Sequence, residues 1–426
     1  MNKTIWSIAT VVLSLLSVQQ LPGQIRLDGE FRTRTEYRHG YTALPARTDN
    51  PSIITGQRSR LQLEYRKKWL RTYLGIQDVR IWGDEQIYGK TGVFGDHASL
   101  DLNEAWVELS FLDHYSVKIG RQYFDYDDSR LLSMRYWNNH TVKYDAFLFQ
   151  IARNKYQLQA AVSYNNEGDM NAAAPYPSGK MKTLSFLRVQ YNFSPALYAS
   201  VLALGSGFTK TDSSETIYMR GSFGTYLNYR MNGLNTWASY YYQSGKNTKG
   251  RNVHAWNLNA RADRATGRIR PGVGFSLISG NKLSDSNKDN LFDILYGVRH
   301  ATYGYMDYFS NLPKSTMNGG LNDFYGLIDV QVVKNLNIIA EYHYFRLNTH
   351  VPDPNSITGA NYDKGLGSEI DLWFRLRFSP IVGINGGYSL MIPRTTLEAI
   401  QSAQPGTTGH WGWLQLTVKP VFLISE

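Results

Sequence analysis

From Ile25 onward the chain is two-faced at every second residue. Ile25, Leu27, Phe31 and Tyr37 fall on one side of an extended strand, while Arg26, Asp28, Glu30, Arg32, Arg34, Glu36 and Arg38 fall on the other. A strand in a soluble sandwich buries one face in protein and shows the other to water. Here the apolar face is too narrow, and the polar face too charged, for that arrangement. A greasy exterior in lipid around a wet, ion-lined interior satisfies both faces.

The pattern recurs along the chain. Leu61, Leu63 and Tyr65 alternate with Arg58, Arg60, Gln62 and Glu64; Leu187 and Val189 alternate with Arg188 and Gln190. Near the end, Ile370, Leu372, Phe374 and Leu376 oppose Glu369, Asp371, Arg375 and Arg377. Each run is close to the roughly 9–11 residues that a tilted strand needs to cross hydrocarbon. Segments 72–82, 197–204 and 322–333 have mixed faces, which predicts bulges or a shifted register. Short turns fall near 67–70, 112–114, 153–155, 194–196, 231–233, 264–267, 334–335 and 379–380. Long polar stretches alternate with them, near 39–56, 83–98, 125–141, 165–182, 206–216, 244–251, 280–321, 348–365 and 393–409. Eight short and nine long connections separate about 18 strands, an even number, as antiparallel closure requires. The expectation is an all-β fold: a transmembrane antiparallel β-barrel of about 18 strands in the bacterial outer membrane, with short periplasmic turns and long extracellular loops.

The first 23 residues read as a secretory signal peptide, with Lys3 before the apolar stretch from Ile5 to Leu16. That leaves 24–426 as a single barrel domain. Hydrophobic residues make up 42% of the chain, yet no second apolar run is long enough to span a bilayer as a helix. The absence of cysteine argues against a disulfide-stapled extracellular module. Tyr65, Trp69, Tyr73, Tyr191, Tyr229, Tyr240 and Phe378 fall near strand ends and are expected in the interfacial girdles. A net charge of +10 points to anionic partners.

The leading functional candidates are the inward arginines: Arg32, Arg34, Arg58, Arg60, Arg188, Arg220, Arg261, Arg270, Arg375 and Arg377. Asp28, Glu30, Glu64, Asp263, Glu369 and Asp371 lie among them. Arginine keeps its charge at physiological pH, and its planar fork matches carboxylates. In a narrow pore such a ring concentrates anions and repels cations. The plainer reading is that these opposite charges simply ladder the barrel wall. Asp285, Asn287 and Asp289 resemble the start of a calcium loop. The sixth position lacks Gly and Tyr296 stands where the bidentate Glu belongs, so a solvated turn is the preferred reading. The nine His are scattered, and no nucleophile elbow, zinc-protease motif or P-loop occurs, so neither catalysis nor a cofactor is expected.

Several ordered segments then resemble the alginate export family of outer-membrane proteins. They are Glu104-Ala-Trp-Val-Glu-Leu, Lys118-Ile-Gly-Arg-Gln-Tyr-Phe124, Ser129-Arg-Leu-Leu132 with Trp137, and Asp145-Ala-Phe147. Later come His300, Gly304-Tyr-Met-Asp-Tyr-Phe309 and Gly319-Gly-Leu-Asn-Asp323. The resemblance implies an 18-stranded barrel that passes anionic uronate polysaccharide through a basic constriction. It adds Arg121 and Arg130 as constriction candidates. Alternation, however, puts Arg121 on the outer face with Val117 and Ile119, so either a bulge reverses the register or Arg121 lies at the rim.

Together these readings predict a porin-like channel for an acidic polysaccharide or oligosaccharide, with outer-membrane lipid as its other partner and no nucleic acid. A general or small-anion porin, or a barrel serving as adhesin, receptor or lipid-modifying enzyme, remains an alternative.

Overall fold

Alternating faces become strands wherever a turn of suitable chemistry reverses the chain. Between Met231 and Leu234, Asn232 and Gly233 both take positive φ (50° and 80°), the two-residue hairpin turn whose twist matches the strands it joins. In the computed structural model, which describes residues 23–84, 100–169, 171, 176–282 and 287–425, eighteen long strands form this way. The signal peptide expected over 1–23 lies, except for Gly23, outside the described residues.

The first nine strands are β1 Gln24–His39, β2 Ser52–Arg66, β3 Leu70–Ile81, β4 Asp101–Phe111, β5 Tyr115–Gln122, β6 Tyr144–Ala152, β7 Tyr156–Tyr164, β8 Thr183–Ser194 and β9 Leu197–Thr209. The second nine are β10 Ile217–Met231, β11 Leu234–Lys246, β12 Asn252–Arg264, β13 Ile269–Ile278, β14 Leu321–Val333, β15 Leu336–Leu347, β16 Gly365–Arg377, β17 Val382–Pro393 and β18 Gly409–Val418. Every strand pairs antiparallel with its sequence neighbour. Pairing of β18 with β1, from Phe31 opposite Val418 to His39 opposite His410, closes the barrel. Past Val418, Pro420 has no N–H to donate, but its carbonyl accepts from Gly29 at 2.9 Å, and a short β19, Val421–Ile424, continues along β1.

Register shifts occur at Gly75/Ile76 in β3, at Asn192/Ser194 in β8 opposite β9, and at Gln331/Val333 in β14. These fall in, or directly against, the three segments of mixed pattern. A further shift at Phe345/Arg346 has no such signature in the sequence.

The burial pattern runs lengthwise. In β8, which descends toward the short turns, inward Leu184, Phe186 and Arg188 are buried, Gln190 and Asn192 are half-buried, and Ser194 is exposed. The hydrophobic core therefore lies inside the barrel at the loop end. Phe124, Leu131, Leu132, Phe292, Met306 and Phe309, all from long loops, pack there against inward strand residues such as Phe186, Leu202 and Trp411. Two short helices belong to this loop end: α1 Leu312–Ser315, and α2 Thr395–Ile400 between β17 and β18.

Candidate functional site

The connection between β5 and β6 turns inward and crosses the lumen as a strap. At one side Asp127 Oδ1 accepts from Arg188 Nη2 of β8 (2.6 Å) and Ser200 Oγ of β9 (2.6 Å). Asp128 then accepts from Ser239 and Tyr241 of β11. Burial raises the Asp128 carboxyl above its ordinary range, against the opposing pull of Arg130. Arg130 donates to Ser276 of β13 (3.1 Å) and lies over the Tyr303 ring, 5.1 Å from its centroid. At the far side the strap reaches β1 and β2.

There the wall arginines grip it. Arg32 donates to the carbonyls of Tyr136 (2.7 Å), Trp137 (3.1 Å) and Asn138 (2.9 Å), and to Asn139 Oδ1 (2.8 Å). Arg34 bonds Glu36 and the Trp137 carbonyl (both 2.8 Å) and stacks over the Trp137 ring at 3.9 Å. Arg58 pairs with Glu30 and donates to the Asn138 carbonyl, and Tyr136 closes the group on Glu30 at 2.6 Å. Arg60 spans Gln77 and Thr141. A buried guanidinium is tolerated only when carboxylates and carbonyls replace its water, and the strap supplies those carbonyls.

The connection from β13 to β14 also folds inward. Met306 N donates to Glu369 Oε1 of β16 at 2.8 Å, and Thr42 N donates to the Met306 carbonyl at 3.0 Å. Gly304 makes this approach possible: at φ +77°, a Cβ there would sit 2.6 Å from the Glu369 carboxyl. Glu369 and Asp371 are thus buried beneath a loop, next to the His343–Asp323 pair (3.0 Å) that bridges β15 and β14. The two inward loops also meet each other. Arg135 donates to the carbonyls of Gly297 and Leu295, and Trp137 stacks on His300 with centroids 3.9 Å apart. Burial, reinforced by repulsion from Arg299, lowers the Arg135 guanidinium to about 10.

The turn end of the lumen is open. Arg261 and Arg270 share Asp263 at 3.3 Å each, and Arg375 reaches Asp329 at 3.5 Å. Arg377 is exposed beside them on β16. Arg268, Arg270, Asp329, Asn337 and Arg375 border a crevice of about 330 Å³ there.

Of the sequence-derived candidates, Arg270, Arg375 and Arg377 are therefore exposed, and Arg261 is half-buried beside them. Arg32, Arg34, Arg58, Arg60, Arg130, Arg188 and Arg220 face inward but are buried, as are Glu369 and Asp371. The expectation that all of them line an open pore is corrected on this point, because folded-in loops cover the outer-half set. Arg121 is a second correction. The β5–β6 register is unbroken there, so Arg121 stays on the outer face near the end of its strand, forked onto Asp145 at 3.0 and 2.9 Å. Tyr73 is a third: it stacks inward on Trp106 (5.4 Å, 4°) instead of joining a girdle, whereas Trp69, Tyr191, Tyr240 and Phe378 are exposed on the outside as expected. Of the calcium candidates, Asp285 lies outside the described residues, Asn287 is exposed, and Asp289 is held by the amides of Asn247 and Asn281. Among the described residues no cluster of metal-ligating side chains forms.

Sequence reading missed the strap anchors Asp127, Asp128 and Tyr136–Asn139. A signal was present: 131–137 carries Leu131, Leu132, Met134, Tyr136 and Trp137, too apolar for a loop in water.

A closed antiparallel barrel with short turns at one end and a loop-narrowed, charged lumen defines a channel of the bacterial outer membrane. Residues 24–405 match the alginate export family, and the chain belongs to it. Among solved structures it resembles OpdL of Pseudomonas aeruginosa, with TM-score 0.62 and 13% identity over 94% of this chain and 99% of that one. OccAB1 of Acinetobacter baumannii gives 0.62 and 13% over 94% and 97%. The outer membrane protein opdK of P. aeruginosa gives 0.59 and 9% over 94% and 99%. Identities this low show a shared fold. No curated protein matches the sequence.

Proposed function

We propose that this channel conducts anionic solutes, in the first place an acidic, uronate-bearing polysaccharide or oligosaccharide, moving down its gradient. The observation that carries this reading is an asymmetry of exposure in the open inner half. Arg270 and Arg375 each expose 48% of their side chains, while their acidic partners Asp263 and Asp329 expose 2% and 20%. A passing solute therefore meets guanidinium more than carboxylate. Each arginine replaces part of the hydration of a sugar carboxylate, and the neighbouring acid keeps that step weak enough for release. Charge reversal of Arg375 and Arg377 to Glu is expected to move the reversal potential in planar bilayers from anion toward cation preference. Unchanged selectivity would remove the support for this reading.

A small-anion porin is the second reading, and the strap favours it, because a polymer must pass where two loops meet. Block and permeation by uronate oligomers of increasing length separate the two. Passage of monomer alone selects the small-anion porin.

A further inference from the structure

At the loop end, the connection between β11 and β12 faces the second inward loop across a cleft of about 390 Å³. Arg220, Lys249, Arg251 and Arg299 line it together with Asp289 and Asp293. Both acids are already engaged: Asp293 pairs with Arg220, and Asp289 accepts from the Asn247 and Asn281 amides at 2.7 and 3.1 Å. Arg220 pairs with Asp293 and Arg251 Nη1 donates to the Lys288 carbonyl at 3.5 Å, but each keeps one donor unmatched. Arg220 is only 5% exposed, and its Nε has no hydrogen-bond partner in the protein. The Nε of Arg251 is likewise buried and unpartnered; that side chain stands 4.0 Å from Asp289. Lys249 and Arg299 sit exposed at the rim. A buried N–H without a partner carries a desolvation cost that a bound oxygen can relieve.

We propose that this cleft is a docking site for a carboxylate-bearing sugar at the extracellular mouth of the channel. The inference deepens the uronate reading and rests on it. Guanidinium forks suit a carboxylate, and the exposed Thr248 and Asn311 in the lining offer partners for ring hydroxyls. The volume lies in the range of small-ligand sites, about 300–1,000 Å³. The site lies away from Arg375 and Arg377, at the opposite end of the barrel from the short turns, so a solute meets it before the strap when it comes from outside and after the strap when it leaves.

The test is calorimetric titration of the full chain in detergent with sodium glucuronate, with glucose and inorganic phosphate as separate probes. The comparison variant is Lys249→Ala/Arg299→Ala, whose two side chains are exposed, with Arg251→Ala as a second variant. Glucuronate is expected to bind the wild type and to weaken about tenfold in each variant, the scale of a lost charge-assisted hydrogen bond. Unchanged affinity in both variants overturns the site, and phosphate binding more tightly than glucuronate overturns the sugar assignment. Glucose binding as well as glucuronate overturns the role of the carboxylate. The transport reading fails separately, through the wild-type reversal potential in a salt gradient, which calorimetry at the mouth does not affect.

Discussion

Arg58 and Arg375 both point into the same barrel, yet they do different work. At the loop end the Arg58 side chain is 0% exposed and is consumed by Glu30 and the Asn138 carbonyl. At the turn end Arg375 keeps 48% of its side chain exposed and holds Asp329 only at 3.5 Å. The contrast separates two properties that alternation alone merges. Facing inward is decided by strand register, whereas facing solute is decided by what the loops leave uncovered. The outer half of the lumen is packed like a protein core, where Arg34, Arg58 and Arg188 pair with Glu36, Glu30 and Asp127. The inner half resembles a surface, where Arg270 and Arg375 keep nearly half of their side chains exposed.

The contrast is broken most directly by removing the strap. Replacing 126–140 with a short Gly/Ser linker is expected to raise single-channel conductance severalfold, and unchanged conductance would mean that the constriction lies elsewhere. Next in size is Arg58→Met, which leaves Glu30 buried without its main cation. It is expected to cost about 3–5 kcal/mol, read by urea unfolding in detergent. The matched change in the inner half, Arg270→Met, is expected to stay within about 0.5 kcal/mol in the same assay while weakening anion preference in bilayers. The smallest effect belongs to Arg121→Ala. An exposed pair on the outer wall is worth about 0–1 kcal/mol, and selectivity should not move. A selectivity change there would bring Arg121 back into the conduction path.

The barrel itself was legible because a membrane strand must repeat its polarity every two residues, and a turn must carry turn chemistry. The run from Arg26 to Arg38 shows the first requirement, and Asn232-Gly233 the second. The register at Arg121 was legible in the same way, since the alternation with Val117 and Ile119 holds in the structure. The strap was not. Asp127, Tyr136 and Asn138 meet Arg188, Glu30 and Arg58 across long stretches of chain, and no local period encodes such contacts. Tyr73 was misplaced for a different reason: with Leu74 and Ile76 on the outer face, unbroken alternation along β3 turns it inward, which its position near a strand end concealed.

What the sequence by itself determined was the wall: strand number, closure, the lipid face and the inward set of arginines. These follow from short-range alternation and turn geometry, which act over a few residues. Only the tertiary structure decided which inward arginines stay open. That depends on the Leu131–Trp137 and Phe292–Phe309 stretches leaving water for the barrel interior. Their apolar side chains pack there, while the wall guanidiniums satisfy the loop carbonyls they carry inside.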